Sequence, residues 1–186
     1  MTPEAAAADR RHEVREAARG WRRAAVIEDA TLAAVVRAYP DDRVRLGPAF
    51  RGYFSDNCRT FAVNRQPTDE QQTAWTFVMK VFKHLEATAK PGKNCNESFD
   101  EAQAILNEAP VGVFNHHLGH GIGLNPHEGP HLNPHWNDTF EVGDVFTAEP
   151  GLYDEKLLRA GMRLENDYLV TPSGIENLSP FPMELA

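Results

Sequence analysis

At 186 residues and 41% apolar composition, the chain is long enough to bury one hydrophobic core. Twenty-seven acidic side chains against 19 basic ones leave a formal net charge of −8, which argues against a surface that tracks nucleic-acid phosphates. No apolar run reaches the ~20 residues that a bilayer crossing needs, and Cys58 and Cys95 lack the CxxC spacing of a thiolate zinc site, so the expectation is a cytoplasmic protein with two reduced thiols.

Residues 1–44 read as a helical N-terminal segment. Thr2-Pro3-Glu4 is a plausible start, and a second helical stretch near Glu28 to Ala38 would end before Pro40. Eight arginines there balance eight carboxylates, without the spacing of a catalytic motif. From Arg45 to Val63 the pattern turns to strand, punctuated by Gly47-Pro48 and Arg51-Gly52, and predicts a hairpin. Period-two alternation puts Asp56 on one face with Phe54, Cys58, Thr60 and Ala62. An inward carboxylate in that company needs a cation.

Thr68 begins the clearest helix, with Gln71 completing a capping-box pair. Trp75, Val78, Met79, Phe82 and Leu85 recur at helical spacing, and Pro91-Gly92 closes the element. A shorter helix follows, aligning Phe99, Ala102, Ile105 and Leu106 before Pro110. These stripes are read as core. The last 75 residues are rich in Gly, His and Pro, with strand-like runs at Val145 to Glu149 and Met162 to Leu169 and a turn at Pro172-Ser173-Gly174.

The chemistry concentrates in this last part. His116, His117, His120 and His127 are four of the eight histidines and fall within twelve positions. Glycines at 119, 121 and 123 remove bulk around His120, as a binding site requires. The competing reading is a turn-rich surface loop. Glu149 and Glu165 each sit in an apolar run, where a carboxylate is costly unless paired or coordinated. One imidazole with Asp56, Glu149 and Glu165 would form a carboxylate-rich site for a divalent metal; for Glu165 an ion pair with Arg163 or a neighbour is the alternative.

Four blocks resemble the pita-bread metallopeptidases, the family of aminopeptidase P, prolidase and methionine aminopeptidase, and most of all its Xaa-Pro branch. They are Phe50 to Phe61, His116 to Pro130, Gly143 to Tyr153, and Arg163 through Gly174. The resemblance implies an α+β pita-bread fold with a catalytic domain over residues 45–186. It implies metal ligation by Asp56, His120, Glu149 and Glu165, with Asp56 and Glu165 bridging in a dinuclear centre. His127 resembles the histidine that contacts substrate and the developing oxyanion, His116 one that lines the substrate pocket, and Arg163 the arginine beside the last ligand, placed with the substrate-binding residues. In such enzymes metal-activated water attacks the peptide carbonyl, and the glutamate matching Glu149 is the usual proton shuttle. The implied activity is hydrolysis of small Xaa-Pro peptides with a divalent ion, manganese first and cobalt, zinc or iron as alternatives. A small peptide is the expected partner, with no nucleic acid and no membrane, and a homodimer is one of the assemblies left open.

The pattern is broken in three places. The family's earlier aspartate, eleven residues before Asp56, is Arg45, which cannot ligate, so one ion is expected and not two. Rescue by Asp41 or Asp42 would need a strand slip. The first half of the catalytic domain reads as shortened, with only His12 in residues 1–44, and the family's usual glycine after the first histidine is His117. Two other readings therefore stay open: a degenerate or truncated non-catalytic protein, and a creatinase-like hydrolase that is not a peptidase.

Overall fold

The computed structural model describes residues 44–46, 49–62, 66–158 and 160–185. The helical segment expected over residues 1–44 lies outside them except for the backbone of Val44, as do Asp41 and Asp42. Val44 opens strand β1 (Val44–Leu46), which pairs antiparallel with β4 (Asn57–Arg59) and sets the Arg45 backbone opposite Cys58; the β1 side chains are not among those described. Between them β2 (Ala49–Phe50) and β3 (Tyr53–Phe54) form a tight hairpin. Its two turn residues, Arg51 and Gly52, have φ of 53° and 87°, the positive pair that matches the twist of the flanking strands.

Helix α1 (Asp69–Thr88) starts as its sequence predicts. Gln71 donates its N–H to Thr68 Oγ1 at 3.2 Å, and Thr68 donates its own to Gln71 Oε1 at 3.0 Å. It buries Ala74, Val78, Val81, Phe82 and Leu85, with Trp75 and Met79 at the margin of the stripe. Helix α2 (Cys95–Asn107) is capped by Asn94, whose side chain accepts the Asn96 N–H at 2.7 Å, and buries Phe99, Ala102 and Leu106 against α1. Each large side chain in this interface contributes about 1.5–3 kcal/mol through burial.

The helices cover an antiparallel five-stranded sheet made of β5 (Gly119–Gly121), β6 (Glu128–Leu132), β7 (Val145–Ala148), β10 (Asn166–Thr171) and β11 (Gly174–Asn177), in the order β11-β10-β7-β5-β6. A separate hairpin joins β8 (Gly151–Asp154) to β9 (Ala160–Arg163). Phe146 stacks on Tyr168 at 5.6 Å between ring centroids, and the Tyr168 hydroxyl donates to Glu86 Oε1 at 2.8 Å, tying sheet to helix.

Strand β5 has poor β propensity, yet it is hydrogen-bonded on both sides. A Cβ at Gly119 would collide with the Thr147 carbonyl and one at Gly121 with the Gly129 carbonyl, so only glycine permits this approach. The simple alternation expected around Asp56 does not hold. Ser55, Asp56, Asn57, Cys58 and Arg59 are all buried in succession, because the segment is covered on both faces.

One residue accounts for much of that covering. Arg59 is 6% exposed and donates five hydrogen bonds: Nε to Pro182 O (2.8 Å), Nη1 to Cys58 O (2.9 Å) and Glu165 O (2.5 Å), Nη2 to Asn166 Oδ1 (2.7 Å) and Phe181 O (3.2 Å). The guanidinium thereby fastens β4, the β9–β10 link and the C-terminal segment together.

Candidate metal centre

His120 occupies the middle of β5 and is 3% exposed. Its backbone N–H donates to Thr147 Oγ1 at 3.1 Å, and its ring Nδ1–H donates to the Gly121 carbonyl at 3.1 Å. The lone pair therefore falls on Nε2, which is buried without a hydrogen-bond partner, 3.6 Å from Glu149 Oε1. Burial lowers the imidazole's pKa and favours the neutral form that can ligate.

Glu149 follows β7, where its backbone N–H donates to Leu118 O at 2.8 Å. Oε1 accepts from His117 Nε2 at 2.7 Å, and Oε2 faces Arg163 Nη1 at 3.1 Å. Burial pushes this carboxyl up, but the His117 hydrogen bond and the charge of the Arg163 guanidinium outweigh it and hold the group below its ordinary value. Glu149 is an ionised acceptor. Arg163, expected among the substrate-binding residues, lies on β9 with its guanidinium on this carboxylate.

Asp56 lies between β3 and β4, 6% exposed, and donates its backbone N–H to the buried Asp167 carboxylate at 3.3 and 3.4 Å. Burial raises the Asp167 pKa well above the ordinary carboxylate value. Glu165, fully buried between β9 and β10, bonds through its N–H to Cys58 O at 2.9 Å, which brings it beside the segment bearing Asp56. His127 is exposed and stacked on His120, with ring centroids 3.7 Å apart. His116 is engaged at both nitrogens: Nδ1 donates to His117 O at 2.7 Å, and Nε2 accepts from the Tyr153 hydroxyl at 2.9 Å.

Among the described residues, two sets of donor atoms converge to within 4.8 Å: Asp56, His120 and His127, and His117, His120 and Glu149. Three of the four predicted ligands, Asp56, His120 and Glu149, thus meet around one imidazole; Glu165 belongs to neither set. A buried imidazole lone pair beside an ionised carboxylate is the donor chemistry of a transition-metal site, so the residues present fit a divalent ion. From sequence, His117 reads only as one of the clustered histidines standing in place of the family's usual glycine, and neither Arg59 nor Tyr153 is marked out. A second histidine three residues before His120 does not reveal itself as a partner of Glu149, because the His117–Glu149 contact spans 32 positions.

This arrangement is a candidate divalent-metal centre on an α+β fold, and comparison with known proteins gives the family. Residues 43–172 match metallopeptidase family M24, and the chain belongs to that family, on the pita-bread fold and close to the Xaa-Pro peptidases. It is 35% identical over 143 residues to an Xaa-Pro dipeptidase of Pyrococcus horikoshii, covering 76% of this chain and 40% of that protein. The crystal structure of the Pyrococcus horikoshii prolidase is similar with a TM-score of 0.72 at 34% identity, covering 77% of this chain and 41% of the other. The X-Pro aminopeptidase of Thermotoga maritima gives 0.71 at 30% identity, with 76% and 40% covered. The chain therefore spans about two-fifths of the length of these relatives.

Proposed function

We propose that the chain carries the metal centre of a hydrolase of small peptides, cutting before proline as an Xaa-Pro dipeptidase or aminopeptidase in the cytoplasm. The observation that carries this reading is the buried, unpartnered His120 Nε2 lying 3.6 Å from the ionised Glu149. Asp56, His120, Glu149 and Glu165 would hold the ion. When bound, a divalent ion polarises a carbonyl oxygen and lowers the pKa of water toward neutrality.

The chain's own residues do the rest. Glu149, kept ionised by His117 and Arg163, is placed to take a proton, and Arg163 acts through that carboxylate as a positioning residue. His127, on the solvent side of the cluster, can meet substrate directly. His116 reaches substrate only by exchanging its Tyr153 hydrogen bond. Edge-to-face contacts linking Phe114, His116 and Tyr153 supply flat, rigid surface of the kind that packs against a proline ring.

The test is metal content together with hydrolysis of Xaa-Pro dipeptides by the purified chain with added manganese or cobalt. Turnover that a chelator abolishes and His120→Ala removes is the expected result; no bound metal and no turnover would overturn the reading. Arg45 favours a second reading, a non-catalytic binding module. In that case the chain is inert; recovery of a second ion and activity in Arg45→Asp would mark a damaged enzyme, and no change in that variant an adapted binding module. Chelator-resistant activity that is lost in His127→Ala would instead mark a creatinase-like chemistry.

A further inference from the structure

Two features of Glu149 remain unused by the four-ligand set read from the sequence. Its Oε2 is committed to Arg163 at 3.1 Å, whereas Oε1 faces two imidazoles at once, His117 Nε2 at 2.7 Å and His120 Nε2 at 3.6 Å. Oε1 is thus a focus for nitrogen donors. The His117 side chain is 37% exposed, against 4% for His120, so this side of the focus is open to ions arriving from solvent.

We propose that His117 is a metal ligand, and that with His120 and Glu149 it forms a two-histidine, one-carboxylate site that selects zinc over manganese. The inference rests on the metal-centre reading above and changes its donor chemistry. Four ligands of which three are carboxylates suit hard ions such as manganese; adding a second imidazole moves the set toward zinc, for which two histidines and a glutamate are a recurrent catalytic arrangement.

The geometry is close to what such a site demands. Donors about 2.0–2.1 Å from a tetrahedral ion are about 3.4 Å from one another. The His120–Glu149 separation of 3.6 Å already has that value. The His117–Glu149 separation of 2.7 Å is a hydrogen bond, so ligation requires that bond to open by roughly 0.7 Å. His117 must also present a lone pair at Nε2. The neutral ring does so by carrying its proton on Nδ1 instead, with no net proton gained or lost.

A purely structural role makes a different forecast. If His117 served only to hold Glu149, any side chain able to donate a hydrogen bond there would replace it. If His117 ligates, only an imidazole will do. His120 has a single Nε2 lone pair and can serve one ion, so the Asp56–His120–His127 set and the His117–His120–Glu149 set share that ion or compete for it.

The test uses the full chain stripped of metal, titrated separately with zinc, manganese and, as a spectroscopic probe, cobalt. Affinities are read by competition with a chelating dye. The expected wild-type result is one zinc bound about 100-fold or more tighter than manganese, a gap that extends the general order of N, O and S sites and narrows when the His117 imidazole is removed. His117→Ala and His117→Gln should both lose at least about tenfold in zinc affinity and alter the visible spectrum of the cobalt form, while manganese affinity changes less than about threefold. Circular dichroism and urea unfolding establish that each variant is folded. If His117→Gln binds zinc and cobalt as the wild type does while His120→Ala does not, His117 is no ligand but the metal centre stands. If the wild-type chain binds none of the three ions, the metal centre itself falls and this inference with it.

Discussion

Replacing Arg59 by lysine tests the account of how the centre's surroundings are held. The charge is retained, but an ammonium has three donors on a flexible stem and cannot reproduce a planar fork that reaches five acceptors in three segments. At least two of the five oxygens lose their donor; Cys58 O, Glu165 O and Asn166 Oδ1 are buried and Phe181 O and Pro182 O part-buried, and each one that water does not reach costs about 1–3 kcal/mol. A loss of about 3 kcal/mol follows, and with a urea dependence of about 2 kcal/mol per molar the unfolding midpoint falls by about 1.5 M. Arg59→Met, which removes every donor, should cost about 4–5 kcal/mol. Far-UV circular dichroism in urea measures both. A midpoint for Arg59→Lys within about 0.3 M of the wild type would refute the clamp, because it would mean that those acceptors find water or other partners at no cost.

Three further outcomes follow from the same structure. Gly121→Ala drives a methyl into the Gly129 carbonyl and must part β5 from β6, costing about 1–3 kcal/mol or more, or a Tm lower by roughly 5–10 °C in calorimetry; Gly174→Ala, which meets only Ala89 O at 3.8 Å, should stay within about 0.5 kcal/mol. Thr68→Ala removes the α1 cap and should cost about 1 kcal/mol in thermal unfolding, with Thr68→Asn recovering most of it. At Glu101, burial pushes the carboxyl up, but hydrogen bonds and charge from Lys93 and His84 outweigh it and hold it below its ordinary value. A depressed carboxyl contributes stability above its unfolded pKa and loses it as pH falls through the folded one. Because Glu101 is 38% exposed, Glu101→Gln should cost only a few tenths of a kcal/mol at pH 7, and the two urea curves should converge below about pH 4.

How far the sequence reveals the molecule depends on how local each cause is. Helix α1 is legible down to its first residue, because Thr68 and Gln71 are three positions apart and cap each other. The placement of His120 and Glu149 is legible as chemistry, since the histidine cluster and the carboxylate in an apolar run announce a cost that something must offset. Strand β5 is not legible as a strand. Gly-His-Gly has no β propensity, and tertiary approach of two neighbouring backbones overrides it. Asp56 shows the opposite case, in which the expected burial occurs for another reason. The five-residue buried run reflects Arg59 and the C-terminal segment folding over it, a contact across more than a hundred positions that no periodicity encodes. The ion pair between Arg163 and Glu149 was invisible for the same reason, and so was the hydrogen bond from His117.

Strand β5 has only three residues, yet it lies inside the sheet with pairing on both edges, and its neighbours contribute much of the core. Segments so placed exchange their amide hydrogens only when the whole molecule opens. The imidazole shared by both donor sets is thus anchored inside the sheet, while His127 and His117 stand at its exposed margin. Any adjustment during binding falls to those two rings: the deep half of the centre is set at folding, and only the shallow half is left to adapt.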